Sequence, residues 1–131
     1  MNLTNGEIWT ASVALGQLGR RHLEIPQLGK YRLSRLEKDL GKAYAGIEAR
    51  RIALIQTHGS ESFSDETKTL SQGWTVQQGT EGHKAYVAAW DALCAESQEV
   101  EVSPIPLTAL GDSPNALEFG DISALGRLLE A

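Results

Sequence analysis

Hydrophobic residues recur at three- and four-residue steps in four parts of the chain, and this spacing is typical of one face of an α-helix. The first predicted helix begins after Thr4, where Thr-Asn-Gly-Glu has the form of a capping box, and it ends at Gly19. Trp9 lies beside the apolar stripe of this helix, and we expect it to make a second contact. The stripe consists of Ile8, Ala11, Leu15 and Leu18.

The second predicted helix is the longest element of the chain. It starts at Pro26, whose fixed backbone angle suits a first helical turn, and runs to about His58, with Gly59 beyond it in a left-handed conformation. Gly41 and Gly46 weaken a helix, so we expect them to permit a close helix crossing. The first two helices should form an antiparallel pair. The apolar stripe of the second comprises Leu33, Leu36, Leu40, Tyr44, Ile47 and Leu54.

The second half of the chain mixes short strands with shorter helices. The pattern of residues 67–77 predicts a hairpin whose turn lies near Ser71-Gln72-Gly73. We expect Thr80 to cap a third helix. The stretch EVEVSPIPL predicts a strand with a kink at Pro104. We expect Asp121 to cap a final helix. The face of the third helix that we expect in the core consists of His83, Tyr86, Val87, Trp90, Leu93 and Cys94.

These elements together predict one α+β domain over residues 1–131. Its parts are an N-terminal antiparallel helix pair with a long second helix, a small antiparallel β element, a third helix and a short C-terminal helix. The final helix carries the apolar residues Leu125, Leu128 and Leu129, which must dock on the core or on another copy of the chain. We expect them to form an interface, and hence a homo-oligomer.

Charge is divided unevenly along the chain, whose net charge is −5. Residues 1–59 hold nine cations and five anions, whereas residues 60–131 hold three cations and twelve anions. The two parts should attract each other, within one chain or between copies in an oligomer. The acidic balance disfavours nucleic acid as a partner. No apolar run approaches the roughly 20 residues of a membrane span, so we expect no membrane partner and a cytoplasmic location.

Residues 20–38 contain six of the twelve Lys and Arg residues of the chain. Helical spacing assigns most of them to the solvated side of the second helix. A ligand-binding site is the alternative, because a phosphate and a base suit cations beside an aromatic ring. The candidate ligand-binding residues are Arg20, Arg21, Lys30, Tyr31 and Arg32.

Arg51 falls on the apolar stripe of the second helix, between Ile47 and Leu54. A guanidinium there must be paired or must line a wet cavity, since an unpaired buried charge is costly. We expect a buried pair with one carboxylate, and a binding role is the alternative. Arg51→Ala should then cost about 3–5 kcal/mol, whereas Arg35→Ala should change little.

Catalytic chemistry is not indicated. The sequence contains no glycine-rich phosphate loop, nucleophile elbow or zinc-protease motif. Glu99 and Glu101 could share one face of a strand, but this is also the pattern of a half-exposed strand. Cys94 is the only cysteine and is predicted to be a small buried residue, and the three histidines are isolated. We therefore expect no enzyme, catalytic residue, metal or cofactor.

Several segments in order resemble a family of small proteins encoded by tailed phages and prophages. They are LTNGEI, KYRLSRLEKDL, IEARRIALIQTHG and EVEVSPIPLTAL. In this family an Arg precedes a Leu-Ile pair of the long helix, and Arg51 matches that place. His58 departs from the family, in which Tyr is common before the glycine. The resemblance implies phage origin and an α+β build, and it brings no established activity.

Two functions are therefore weighed. The first is a non-catalytic phage accessory or assembly protein that acts through protein binding and self-association, with a phage or host protein as partner. The alternative is an oligomeric small-molecule binder that sequesters an anionic nucleotide signal of host defence. Both place the protein in the host cell cytoplasm, and association with the virion stays open.

Overall fold

The computed structural model describes residues 1–63, 71–111 and 116–131, and it confirms the α+β build with a long second helix. The N-terminal helical hairpin is confirmed as well. Short 3-10 turns lie at Leu107–Leu110 and Gly126–Leu128. The elements in chain order are β1 (Asn2–Thr4), α1 (Asn5–Leu18), α2 (Gln27–His58), β2 (Ser60–Phe63), β3 (Ser71–Thr75), α3 (Glu81–Ala95), β4 (Ser97–Glu99), β5 (Ile105–Pro106), α4 (Phe119–Leu125) and β6 (Leu129–Glu130).

The predicted capping box starts α1. The backbone N–H of Glu7 donates to Oγ1 of Thr4 at 3.0 Å, and the N–H of Thr4 donates to Oε1 of Glu7 at 3.1 Å. Arg127, from the far end of the chain, donates to the same carboxylate and lowers the pKa of Glu7 to about 2. The whole predicted stripe of α1 is buried, so this face of the helix forms core.

The predicted limits of α2 are confirmed, and its buried residues include Leu33, Leu36, Leu40 and Ile47. Two expectations about the glycines of this region were wrong: the left-handed conformation of Gly59 and the helix crossing at Gly41 and Gly46. Gly59 has φ −104°, which is ordinary extended backbone rather than left-handed. A Cβ added at Gly41 or Gly46 would meet no atom within 4 Å, so neither glycine lies at a helix crossing.

Close backbone approach occurs instead at both ends of α2. A Cβ at Gly29 would collide with the carbonyl oxygen of Ala109, in the turn after β5. A Cβ at Gly82, in the first turn of α3, would collide with the carbonyl oxygen of His58. Glycine is therefore required where other segments cross the two ends of α2, and not along its middle.

The strands of the described residues form three separate pairs. β1 pairs with β4 and β2 with β3, both antiparallel, whereas β5 pairs with β6 in parallel. The predicted turn at 71–73 was wrong, because these residues belong to β3. The register of that pair shifts between Ser62 and Phe63, opposite Gly73 with φ +98°, so this glycine serves an irregular strand. The residues that connect β2 to β3 lie outside the described part.

The predicted kinked strand is two separate strands. β4 ends at Glu99, and the next strand begins only at Ile105, in a different pair. Glu101 therefore lies beyond β4 and does not share a strand face with Glu99. The intervening Val100 is buried, and its N–H donates to the carbonyl oxygen of Met1 at 2.9 Å.

The cap of α3 is confirmed, but its predicted core face is only partly buried. The N–H of His83 donates to Oγ1 of Thr80 at 3.1 Å. Only Leu93 of that face is fully buried, and Val87 is 40% exposed. The reason is that α3 lies against the outside of the α1–α2 hairpin, so the margins of its stripe face solvent.

The C-terminal segment packs on α1. Glu118 caps α4, and Asp121 is its third residue, where Oδ2 accepts the N–H of Glu118 at 2.9 Å; the prediction of Asp121 as the cap was wrong. Leu125 and Leu128 are each 2% exposed within a single chain. Their expected role as an interface is therefore contradicted, because they dock on the chain's own core. Leu129 is half-buried in β6.

Ion pairs within one chain join its basic and acidic parts. Arg21 Nη2 lies 2.6 Å from Oδ2 of Asp121, and Arg50 Nη1 lies 2.6 Å from Oε2 of Glu96. The attraction expected between the two parts is thus met by ion pairs within one chain. A second copy of the chain is not needed to explain the uneven charge.

Alanine substitutions at two glycines of α2 should distinguish a glycine needed for close backbone approach from one that only lowers helix propensity. Gly29→Ala should lower the free energy of unfolding by about 1–3 kcal/mol, because the Ala109 carbonyl must move. Gly41→Ala should raise it by about 0.5–1 kcal/mol, because the new methyl meets open space and alanine favours the helix. Urea unfolding of both variants beside wild type measures this difference. Equal shifts would contradict the close approach at Gly29.

Candidate binding pocket

A cavity of about 270 Å³ opens where α1 ends and α2 begins. We name it the junction pocket. Its floor is made of buried apolar side chains, and its rim is polar. The floor residues are Leu15, Leu18, Leu23, Ile25 and Leu33, and the rim residues are Arg21, His22, Lys30, Ser34 and Glu37.

The path of the connection between the helices builds the floor. α1 closes with hydrogen bonds from Gly19 N–H to the Leu15 carbonyl and from Arg21 N–H to the Leu18 carbonyl. Beyond it, Leu23 and Ile25 are buried, whereas Glu24 between them is exposed, and this alternation is typical of extended chain.

The α2 side of the rim carries three different polar groups. Lys30, Ser34 and Glu37 follow one another at steps of four and three residues, so they share one side of the helix. Leu33 lies beside them in the floor. The rim along α2 therefore offers an ammonium, a hydroxyl and a carboxylate in that order.

The cation on the opposite side of the rim is already engaged. Arg21 contacts Asp121 at 2.6 Å and Glu118 at 3.7 Å. Lys30 and Glu37 have no ion pair within the described part of the chain. Asp121 and Glu118 offset the charge of Arg21, and α2 contributes one cation and one carboxylate to the lining, so the site is not strongly basic.

The predicted ligand residues do not form one site. Arg21 and Lys30 line the junction pocket, but Arg20 lies in a neighbouring groove with Ser12 and Tyr44. Tyr31 is 60% exposed, and its hydroxyl accepts a hydrogen bond from Nη1 of Arg35. Neither Tyr31 nor Arg32 lines the pocket. The basic stretch is thus mainly a solvated face that borders a site at one end.

Arg51 is paired as predicted. Its Nε and Nη2 donate to the two carboxylate oxygens of Glu48 at 3.1 and 2.7 Å. These hydrogen bonds lower the pKa of Glu48 and raise that of Arg51. Both side chains are 29% exposed, so the pair is half-buried rather than buried as expected. Because Glu48 takes these donors, the geometry does not favour a binding role for Arg51.

The guanidinium also covers an aromatic cluster. Its central carbon lies 5.4 Å from the ring centroid of Trp9, a cation–π contact. Trp9 stacks on Tyr44 with centroids 5.0 Å apart, and meets Trp90 edge-on at 5.2 Å. The second contact expected for Trp9 is therefore confirmed, and it joins α1, α2 and α3.

The remaining candidate chemical groups are scattered. Cys94 is half-buried, and burial raises the pKa of its thiol. Glu99 and Glu101 are exposed and line a different groove, beside Lys42 and Arg50. Over the described ranges, no three His, Cys, Asp or Glu side chains are placed to hold a metal ion.

Comparison with known proteins gives no further guide to the site. No family model, curated protein or solved structure matches the chain. The relation to phage-encoded proteins therefore stays a prediction. Each helix in the described residues is too short or too polar to cross a membrane.

Replacing Arg51 should destabilise the fold less than full burial would imply. Arg51→Ala removes a half-exposed ion pair and the contact with Trp9, and Glu48 can turn to water. We expect a loss of about 1–2 kcal/mol in the free energy of unfolding. Arg35→Ala, on the exposed side of the same helix, should leave it nearly unchanged. Denaturant midpoints of the two variants give the comparison, and equal shifts would contradict the role assigned to Arg51.

Proposed function

We propose that the protein is a non-catalytic binding protein whose junction pocket takes a small molecule with an apolar body. The observation that carries this proposal is the floor of five buried apolar side chains, open to solvent and edged by a few polar groups. Ligand sites generally combine an apolar lining with few oriented polar groups. At about 270 Å³, the cavity lies just below the usual range of roughly 300–1,000 Å³, which favours a small ligand.

The perturbed titratable groups support a non-catalytic role. A general acid needs a carboxyl group with a raised pKa, and a nucleophilic cysteine needs a thiol with a lowered one. The described groups shift in the opposite directions. Arg127 and Arg51 hold the pKa values of Glu7 and Glu48 low, and burial raises that of Cys94.

The sequence resemblance supports the further proposal that this binding serves a phage accessory or assembly protein in the host cytoplasm. The charge around the pocket does not favour the nucleotide alternative. A nucleotide carries several negative charges, whereas Glu37 lines the mouth and Arg21 is already paired with Asp121 and Glu118. Like charges would therefore oppose much of the attraction to Lys30.

Blocking the mouth of the pocket tests the proposal. Hexanol, as an apolar probe, should shift the backbone amide resonances of Leu18, Leu23 and Leu33 in a nitrogen-edited NMR titration. Ser34→Trp places a large ring at the exposed rim and should abolish these shifts without disturbing the core. Ala45→Trp, on an exposed part of α2 away from the pocket, should preserve them. Absence of the shifts in wild type, or their persistence in Ser34→Trp, would contradict the proposal.

Protein binding through the outer side of α4 is a second candidate. Phe119 is 87% exposed and Ile122 is 42% exposed, one helical turn apart on α4. Large exposed apolar side chains that lie together are typical of protein interfaces. Self-association, first expected through Leu125 and Leu128, is therefore proposed through this outer surface instead.

Light scattering at increasing protein concentration tests the second candidate. Phe119→Asp should lower the average mass of an oligomer, because it puts a charge into the proposed contact. Tyr31→Asp replaces an exposed aromatic side chain elsewhere and should leave the mass unchanged. A wild-type chain that is monomeric at high concentration would exclude self-association.

A further inference from the structure

The rim of the junction pocket holds opposite charges at its two ends along α2. Lys30 and Glu37 are seven residues apart, which corresponds to a rise of about 10 Å, or two helical turns. The hydroxyl of Ser34 lies between them on the same side of the helix. Both charged side chains are exposed, so each can approach a ligand without leaving water completely.

Buried apolar side chains lie between these charges, beside the Ser34 hydroxyl. Leu33 reaches the floor beside Ser34, and Leu23 and Ile25 face it from the connection. A hydrocarbon chain lying along α2 would therefore cover apolar surface while its two ends stay near the rim. Burial of the chain would supply affinity, and the two ends would supply selectivity.

The other charges of the rim do not change this pattern. Arg21 lies between Asp121 and Glu118, which offset its charge. Lys30 and Glu37 are the charged rim groups without an ion pair, as far as the described residues extend. One cation and one carboxylate are thus available to a ligand, at opposite ends of an apolar floor.

Building on the proposed function, we infer that the junction pocket binds a linear zwitterion of the ω-amino acid class. Its carboxylate meets the ammonium of Lys30, its own ammonium meets the carboxylate of Glu37, and its methylene chain covers the apolar floor. An α-amino acid carries both charges at one end and cannot meet both rim groups at once. A multiply charged anion would be repelled by Glu37 and by the two carboxylates that pair with Arg21.

A series of ligands with one chain length separates the contributions of the two charges. The probes are 6-aminohexanoate, hexanoate, hexylamine and hexanol, with adenosine monophosphate as the anionic comparison. Titrations followed by the amide shifts of Leu23 and Leu33 give each Kd. Removing either charge from 6-aminohexanoate should weaken binding about threefold, and removing both should weaken it about tenfold. These differences should shrink at high salt.

Matched variants assign each charge to its partner. Lys30→Gln should remove the advantage of 6-aminohexanoate over hexylamine, because the carboxylate loses its cation. Glu37→Gln should remove its advantage over hexanoate. Lys38→Gln, an exposed cation of the same helix outside the pocket, should change neither. Hexanol binding measures the folded pocket independently of charge in every variant.

The outcomes distinguish this inference from the proposed function. If all four chain compounds bind equally at the pocket, or if adenosine monophosphate binds more tightly, the zwitterion is excluded while the pocket stands. If the selectivity survives both Lys30→Gln and Glu37→Gln, the assignment of the two residues is overturned. If none of the probes binds, the proposed function fails, and the inference fails with it.

Discussion

The buried stripe of α2 is the surface on which much of the described fold is assembled. α1 packs along it, and α3, β3 and the turn after β5 contact the same helix. Glycines at the two crossings let a carbonyl of one segment reach the backbone of the other, at Gly29 and at Gly82. The position of α2 therefore fixes where the connection from α1 must arrive. The junction pocket lies at that arrival point.

Ion pairs between distant parts of the sequence determine how the pocket is charged. Arg21 binds Asp121, and Arg127 binds Glu7, so the C-terminal segment is held against both the end and the start of α1. This arrangement brings acidic side chains of the second half to the basic connection. A stretch that is cationic in sequence thus becomes a site of mixed charge in the fold.

Features set by local periodicity could be predicted from the sequence. The caps at Thr4 and Thr80 and the limits of α2 depend on neighbouring residues, and they were found as expected. Two other features depend on segments that are distant in sequence: Gly73 belongs to a strand, and Leu125 is buried. The same holds for the pocket. Its cations could be identified from the sequence. The floor residues of the connection and the rim residues Ser34 and Glu37 could be identified only once the path of the chain was known.

Spacing along α2 separates the charged residues that pair within the helix from those that line the junction pocket. Glu48 and Arg51 are three residues apart, so they pair with each other and cover Trp9. Lys30 and Glu37 are seven residues apart, and on a helix this distance prevents a direct pair between them. Each lies beside the apolar floor of the pocket. A cation and a carboxylate therefore form a structural contact in one half of the helix, whereas in the other half they stay apart at the two ends of the pocket rim.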